Sequence, residues 1–259
     1  MSSNIRLYMF PGSNAVFTAR LMLEHKDIDY RAVKLLPGPH AFVLLAKGFP
    51  TMAVPALKAG GVRVQGTRWI ARALDELVPE RPLFPSDPDR RKAVEDAERW
   101  GEGLQNATRR IFYATARRDR GAFDSVMTAE RGPFKRMIVR ASRPIVMRLA
   151  TGVHRATDDH AREDLALLAE RLDQIDAWID HGLLNGPELN AADFQIAANV
   201  AGLLLVDDLR PFIEGRPAGA HARRVAPGYV GHAGPCIPAE WLEPLRAAAH
   251  DHDPVGIGA

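Results

Sequence analysis

Ser13 and Thr67 are placed where a hydroxyl could meet an anion. Ser13 follows Pro11-Gly12, where a short apolar run from Ile5 to Phe10 gives way to a helical pattern. There it can cap the helix. Thr67 opens a second helical pattern, in which Trp69, Ile70, Ala73, Leu74 and Leu77 share one face. At a helix N-terminus its hydroxyl and amide can face a carboxylate, since the helix dipole favours negative charge there. A plain capping role stays open for both. Cys236 is the single cysteine. It cannot form an internal disulfide, a CxxC redox pair or a cysteine zinc cluster, and between Pro235 and Ile237 it reads as a small structural hydrophobe. His154 and His160 lie near Asp158 and Asp159 without a metal-ligand spacing, so no metal is expected.

Charge is uneven. Between Arg109 and Arg148 stand eleven Arg or Lys against three acids, although the whole 259-residue chain carries only +2. That balance argues against nucleic-acid binding by bulk charge. Within the stretch, Phe134-Lys135-Arg136-Met137-Ile138-Val139-Arg140 and Ile145-Val146-Met147-Arg148 interleave charge with apolar residues. Weak contact of 109–148 with an anionic surface, a pocket for an acidic substrate, and a solvated helix face all remain open. The apolar run from Val200 to Val206 is far short of the ~20 residues a membrane-spanning helix needs. No secretory leader is expected from Met1–Arg6, and a reducing, cytoplasmic location is expected from the lone thiol.

The elements that must hold these residues fall into two groups. At 46% hydrophobic and 25% charged the composition is that of a globular chain, long enough for one large or two small domains. The first third reads as a strand over Ile5–Phe10, a helix, a strand over Ile28–Val33, a break at Pro37-Gly38-Pro39, and a short helix over Ala41–Ala46. Two strands follow, Ala53–Leu57 and Val62–Val64, and then the helix opened by Thr67. Prolines 79, 82, 85 and 88 mark a linker. Beyond it, helices are expected over Arg90–Arg117, Ala161–Asp180 and Ala191–Val206. The last is capped by Asn190, with Asp193 placed to take the cap residue's own amide. From Gly215 on, the tail is expected to be irregular apart from Glu240–His250.

Three segments in this order resemble the glutathione transferase family. Val54-Pro55-Ala56-Leu57 is similar to its cis-proline loop, Gln65-Gly66-Thr67-Arg68-Trp69-Ile70 to its thiol-peptide-binding turn, and Leu189-Asn190-Ala191-Ala192-Asp193-Phe194 to the helix cap of its all-α domain. The resemblance covers about residues 5–206. It implies an α+β thioredoxin-like domain (βαβ-α-ββ-α) over 1–80, a linker over 81–89, and an all-α helical-bundle domain over 90–259 with an irregular tail. It also implies a transferase that conjugates a small thiol, glutathione first, to an electrophile.

Through the same resemblance, Ser13 falls on the position of the serine that stabilises the thiolate. Met9 stands where other classes keep a tyrosine, and Val16 where a second serine or cysteine often sits. Val54, ahead of Pro55, would pair its backbone with an extended peptide. Thr67, Gln65 and His40 would hold the rest of the thiol peptide, with His40 and Lys47 as candidates for its carboxylate or as solvated surface residues. Gly66 departs from the family's acidic or amide residue. An apolar electrophile pocket is expected over about Trp100–Tyr113. The expected assembly is a homodimer, and the expected role is cytoplasmic detoxification with glutathione as co-substrate. The rival expectations are a non-catalytic binding or scaffold protein and a thiol-dependent isomerase or dehalogenase on the same fold.

Overall fold

The computed structural model describes residues 5–36, 39–128 and 132–251. The expected break at Pro37-Gly38 and the charges of Glu130 and Arg131 lie outside them. The first domain runs β1 (Ile5–Met9), α1 (Asn14–His25), β2 (Arg31–Lys34), α2 (His40–Ala46), β3 (Ala56–Ala59), β4 (Val62–Gln65) and α3 (Thr67–Leu77). Its sheet has the order β2-β1-β3-β4, with β1 parallel to β2, and the pairs β1–β3 and β3–β4 antiparallel. Beyond exposed Arg6, central β1 is covered on both faces, which is why Leu7–Met9 is a continuous apolar run. Leu7 and Met9 join the main core, while Tyr8 packs with Leu35, Leu44 and Phe49.

Three boundaries differ from the sequence reading. β2 begins at Arg31, not Ile28, because Ile28 closes the end of α1: its amide donates to Leu23 O at 2.9 Å, after Asp27 at φ 54°. β3 begins at Ala56, since Pro55 has no N–H to give a ladder. Gly66 (φ +85°), not Thr67, occupies the N-cap of α3, and Thr67 is its first helical residue. The buried face of α3 is Thr67, Ile70, Ala71 and Leu74. Trp69, expected on that face, is 68% exposed, and Leu77 is exposed as well.

The linker is pinned. Buried Lys26 reaches Asp75 at 2.8 Å and the carbonyls of Glu80 and Arg81 at 3.0 Å. Asp75 in turn accepts from the amides of Leu83 and Phe84, whose side chains are buried. The linker ends sooner than expected, since α4 spans Pro88–Arg118. Asp87 caps it through Arg90 N at 2.8 Å, and a proline in the first turn costs no hydrogen bond.

The second domain continues with α5 (Arg120–Met127), α6 (Pro133–His154), α7 (Asp158–Ala166), α8 (Leu168–Asp180), α9 (Ala191–Leu203), α10 (Arg210–Ile213), α11 (Pro217–Val225) and α12 (Glu243–Asp251). Helix α9 is buried nearly all round and packs chiefly on α4. The helices meet at Gly101, where a Cβ would lie 2.7 Å from Gln195 Cγ. The single helix expected over Ala161–Asp180 is two, broken at Leu167. Helix α9 ends at Leu203 because Val206 leaves it to bridge with Ala233. The tail expected to be irregular holds α11, whose Ala218, His221 and Ala222 are completely buried.

Candidate functional site

Two backbone segments meet at the edge of the first domain. The Val54–Pro55 bond is cis, as the family resemblance implied. Pro55 O accepts from Gly66 N at 3.0 Å, which ties the proline loop to the N-terminus of α3. Val54 is half-buried, and among the described residues no hydrogen bond reaches its backbone. The α3 end carries no side-chain cap. Its first amides are therefore orphan donors, concentrated where the helix dipole is positive. Thr67 is buried and its hydroxyl bonds to no described residue. Further along, Arg72 holds buried Glu98 of α4 at 2.9 Å, with Arg68 at 3.5 Å, which anchors α3 to the second domain. Burial pushes the Glu98 carboxyl up, against the pull of the two arginines.

Gln65 braces this edge. Its Oε1 accepts from the Thr51 amide and hydroxyl, and its Nε2 donates to Thr51 O and Ala53 O, each at 2.9 Å. All four bonds go to the loop that delivers Val54. The amide is thus committed to positioning that loop and has no spare group for a ligand's ammonium. His40 opens α2 and sets its ring edge-on to Phe10 at 5.3 Å. Burial lowers its pKa, which works against a charged anion partner there. Lys47 is exposed, and its carbonyl accepts from Arg63 Nε at 2.9 Å.

Ser13 is the N-cap of α1, and its Oγ accepts from Val16 N at a long 3.4 Å. Capping uses the oxygen as acceptor and leaves the hydroxyl proton available as donor. Met9 and Val16 are buried, and Tyr8 packs edge-on against Phe49 at 5.3 Å, so no other hydroxyl replaces it from these positions.

The second domain reaches this serine through residues that the sequence did not single out. Asn14 donates to Asn199 Oδ1 at 2.7 Å and to Gln105 O at 3.3 Å. Tyr229 donates its hydroxyl to Gly12 O at 3.1 Å and stacks on Phe17 at 4.6 Å. Nothing local marks Tyr229; it meets Gly12 across 217 residues of chain. Of the expected electrophile stretch, Trp100 turns away to Trp178, centroids 4.9 Å apart, whereas Tyr113 stacks on His154. Burial drives the His154 pKa down to about 4, helped by the Arg109 charge. Cys236 has its thiol pushed up to about 11 by burial and nearby acids, so it stays protonated at neutral pH. Among the described residues no group of three or more His, Cys, Asp or Glu could hold a metal ion, and no helix is long and apolar enough to cross a membrane.

Comparison with known proteins centres on the first domain. Residues 7–82 match the family described as glutathione S-transferase, N-terminal domain. Glutathione S-transferase 1 of Dianthus caryophyllus is 33% identical over 92 residues, 35% of this chain and 42% of the relative. The match thus spans about two fifths of that relative's length. Glutathione transferase F7 from Populus trichocarpa superposes with a TM-score of 0.60 at 14% identity, covering 95% of this chain and 98% of the other. The glutathione S-transferase of Ceriporiopsis subvermispora, solved in complex with glutathione, gives 0.57 at 17% identity over 98% and 99%. These likenesses establish the two-domain fold, a thioredoxin-like domain followed by a helical one.

Proposed function

We propose that this chain, whose residues 7–82 match the glutathione S-transferase N-terminal domain, conjugates glutathione or a closely similar thiol to an electrophile. The observation that carries this reading is the tie between Pro55 and Gly66, which sets the unengaged Val54 backbone beside the uncapped end of α3. An extended peptide can pair with Val54 as an added strand while its carboxylate takes the amides of Thr67 and its neighbours. Gln65 contributes by holding the loop, and His40 lies at the rim of the same domain.

Ser13 is the proposed thiolate stabiliser. A free thiol of pKa ~8.5 is mostly protonated at neutral pH, so a hydroxyl donated to sulfur raises the reactive fraction. The thiolate then forms the carbon–sulfur bond as the electrophile's leaving group departs with its electron pair. The second domain supplies the electrophile's surroundings. A two-fold homodimer and a detoxifying role in the cytoplasm belong to the same proposal.

A second reading has an observation of its own. Gly66 offers no side chain and Gln65 is spent on the loop, so the grip on a γ-glutamyl ammonium is weak. That favours a binding or scaffold protein on this fold; an isomerase or dehalogenase would use the same thiol site. Turnover with millimolar glutathione and a panel of simple electrophiles separates them. Ser13→Ala should slow conjugation about 10–10³-fold while leaving thiol binding nearly unchanged, because its bond strengthens as sulfur ionises. Equal rates reduce Ser13 to a helix cap. Absence of both turnover and thermal stabilisation by any thiol favours the scaffold.

A further inference from the structure

Helix α4 carries several arginines, and they differ in one respect. Arg99 pairs with Asp96, Arg110 with Asp164 through two bonds at 2.6 and 2.8 Å, and Arg117 and Arg118 share Asp158. Arg109 has no carboxylate among the described residues; nor has Arg90, but that side chain is exposed and donates to Gly182 O, whereas Arg109 is half-buried. Among the described residues its one side-chain hydrogen bond goes to Asn106 Oδ1, 3.3 Å away on its own helix. A guanidinium stays charged in proteins, and holding one partly out of water without a countercharge is costly.

Its position is defined by its neighbours. Arg109 lies one helical turn beyond Gln105, whose carbonyl meets Asn14, the residue after Ser13. The adjacent Thr108 lies against Gly202, and the Tyr229 ring covers the same glycine: a Cβ there would be 3.1 Å from both side chains. That same Tyr229 donates to Gly12 O, the residue before Ser13. The Arg109 charge is felt by Tyr113, Tyr229 and His154. Burial lowers the Arg109 pKa and raises those of both tyrosines, as expected for groups screened from water together.

We propose that Arg109 is a specificity residue that anchors a carboxylate on the electrophile, with the aromatic rings of Phe17, Tyr113 and Tyr229 around the rest of it. This rests on the transferase reading of the site. The missing countercharge is then brought by the substrate, and the planar fork of arginine matches a carboxylate in two bonds. Substrates would be small aromatic or unsaturated acids bearing a leaving group or an electrophilic carbon.

The test compares 4-(chloromethyl)benzoate with neutral 4-nitrobenzyl chloride. In each the sulfur forms its bond to the benzylic carbon and chloride leaves with the electron pair. Wild type should prefer the carboxylate, and Arg109→Met should lower the ratio of the two kcat/KM values about 10–100-fold. Arg109→Lys should fall between, and Arg99→Met should keep the wild-type ratio. A second arm needs no turnover: calorimetric binding of 4-methylbenzoate should weaken by a similar factor in Arg109→Met, whose folding is checked by its melting temperature. An unchanged ratio with unchanged benzoate binding overturns the assignment. Failure of both chlorides with wild type counts against the transferase reading, and benzoate binding that depends on Arg109 still supports the anchor.

Discussion

Helices α3 and α9 begin in opposite ways. At α9, Asn190 accepts from the amides of Ala192 and Asp193, Asp193 accepts from the amides of Asn190 and Asn185, and Leu83 O takes Ala191 N. Buried His221 adds a bond to Asp193 at 2.8 Å. At α3 the cap is a glycine without a side chain, and among the described residues no side chain caps the first turn. One end is closed by protein and the other left open. A closed end holds the second domain together; an open end beside an unengaged strand-like segment is fit to receive a ligand's carboxylate.

Breaking the closed end should have the largest effect. Asp193→Ala removes the acceptor of two amides and a buried imidazole, all within the core. We expect about 3–5 kcal/mol lost, read by urea unfolding. A loss under 1 kcal/mol would show that the network relaxes around the gap and that the two ends differ less than their geometry says.

Gly66→Ala sharpens the contrast at the open end. A Cβ there meets nothing within 4 Å, so its cost comes from φ +85° alone, about 1–3 kcal/mol. Thiol affinity should fall as the turn shifts, measured by titration with glutathione. Gln65→Ala acts at the exposed brace and should cost only about 1 kcal/mol, while weakening thiol binding several-fold by freeing the Val54 loop. Unchanged binding in Gln65→Ala would separate the loop from the site.

What the sequence disclosed was local. The Asn190–Asp193 cap, the Val54–Pro55 turn and the strand–helix order of the first domain depend on neighbours within a few residues. What it hid was long-range or locally ambiguous. Pro88 read as part of the linker although it opens α4, the tail read as irregular although Pro217 opens α11 there, and Pro144 stands inside α6. Leu167 splits a periodic pattern without any breaker residue. The commitment of Gln65 to residues 51–53, the exposure of Trp69 and the reach of Tyr229 to Gly12 depend on partners that only folding brings close. Ser13 lies between these cases: its cap was legible, and its neighbours from the second domain were not.

The central claim is that the open end of α3 and the backbone of Val54 together receive a thiol peptide. Amide-resolved NMR during a glutathione titration tests it most directly. The account predicts progressive shifts of the amides of Val54, Thr67, Arg68 and Ser13, with those of Asn190–Asp193 unmoved. Shifts that spare Val54 and Thr67, or none at millimolar glutathione, would contradict it.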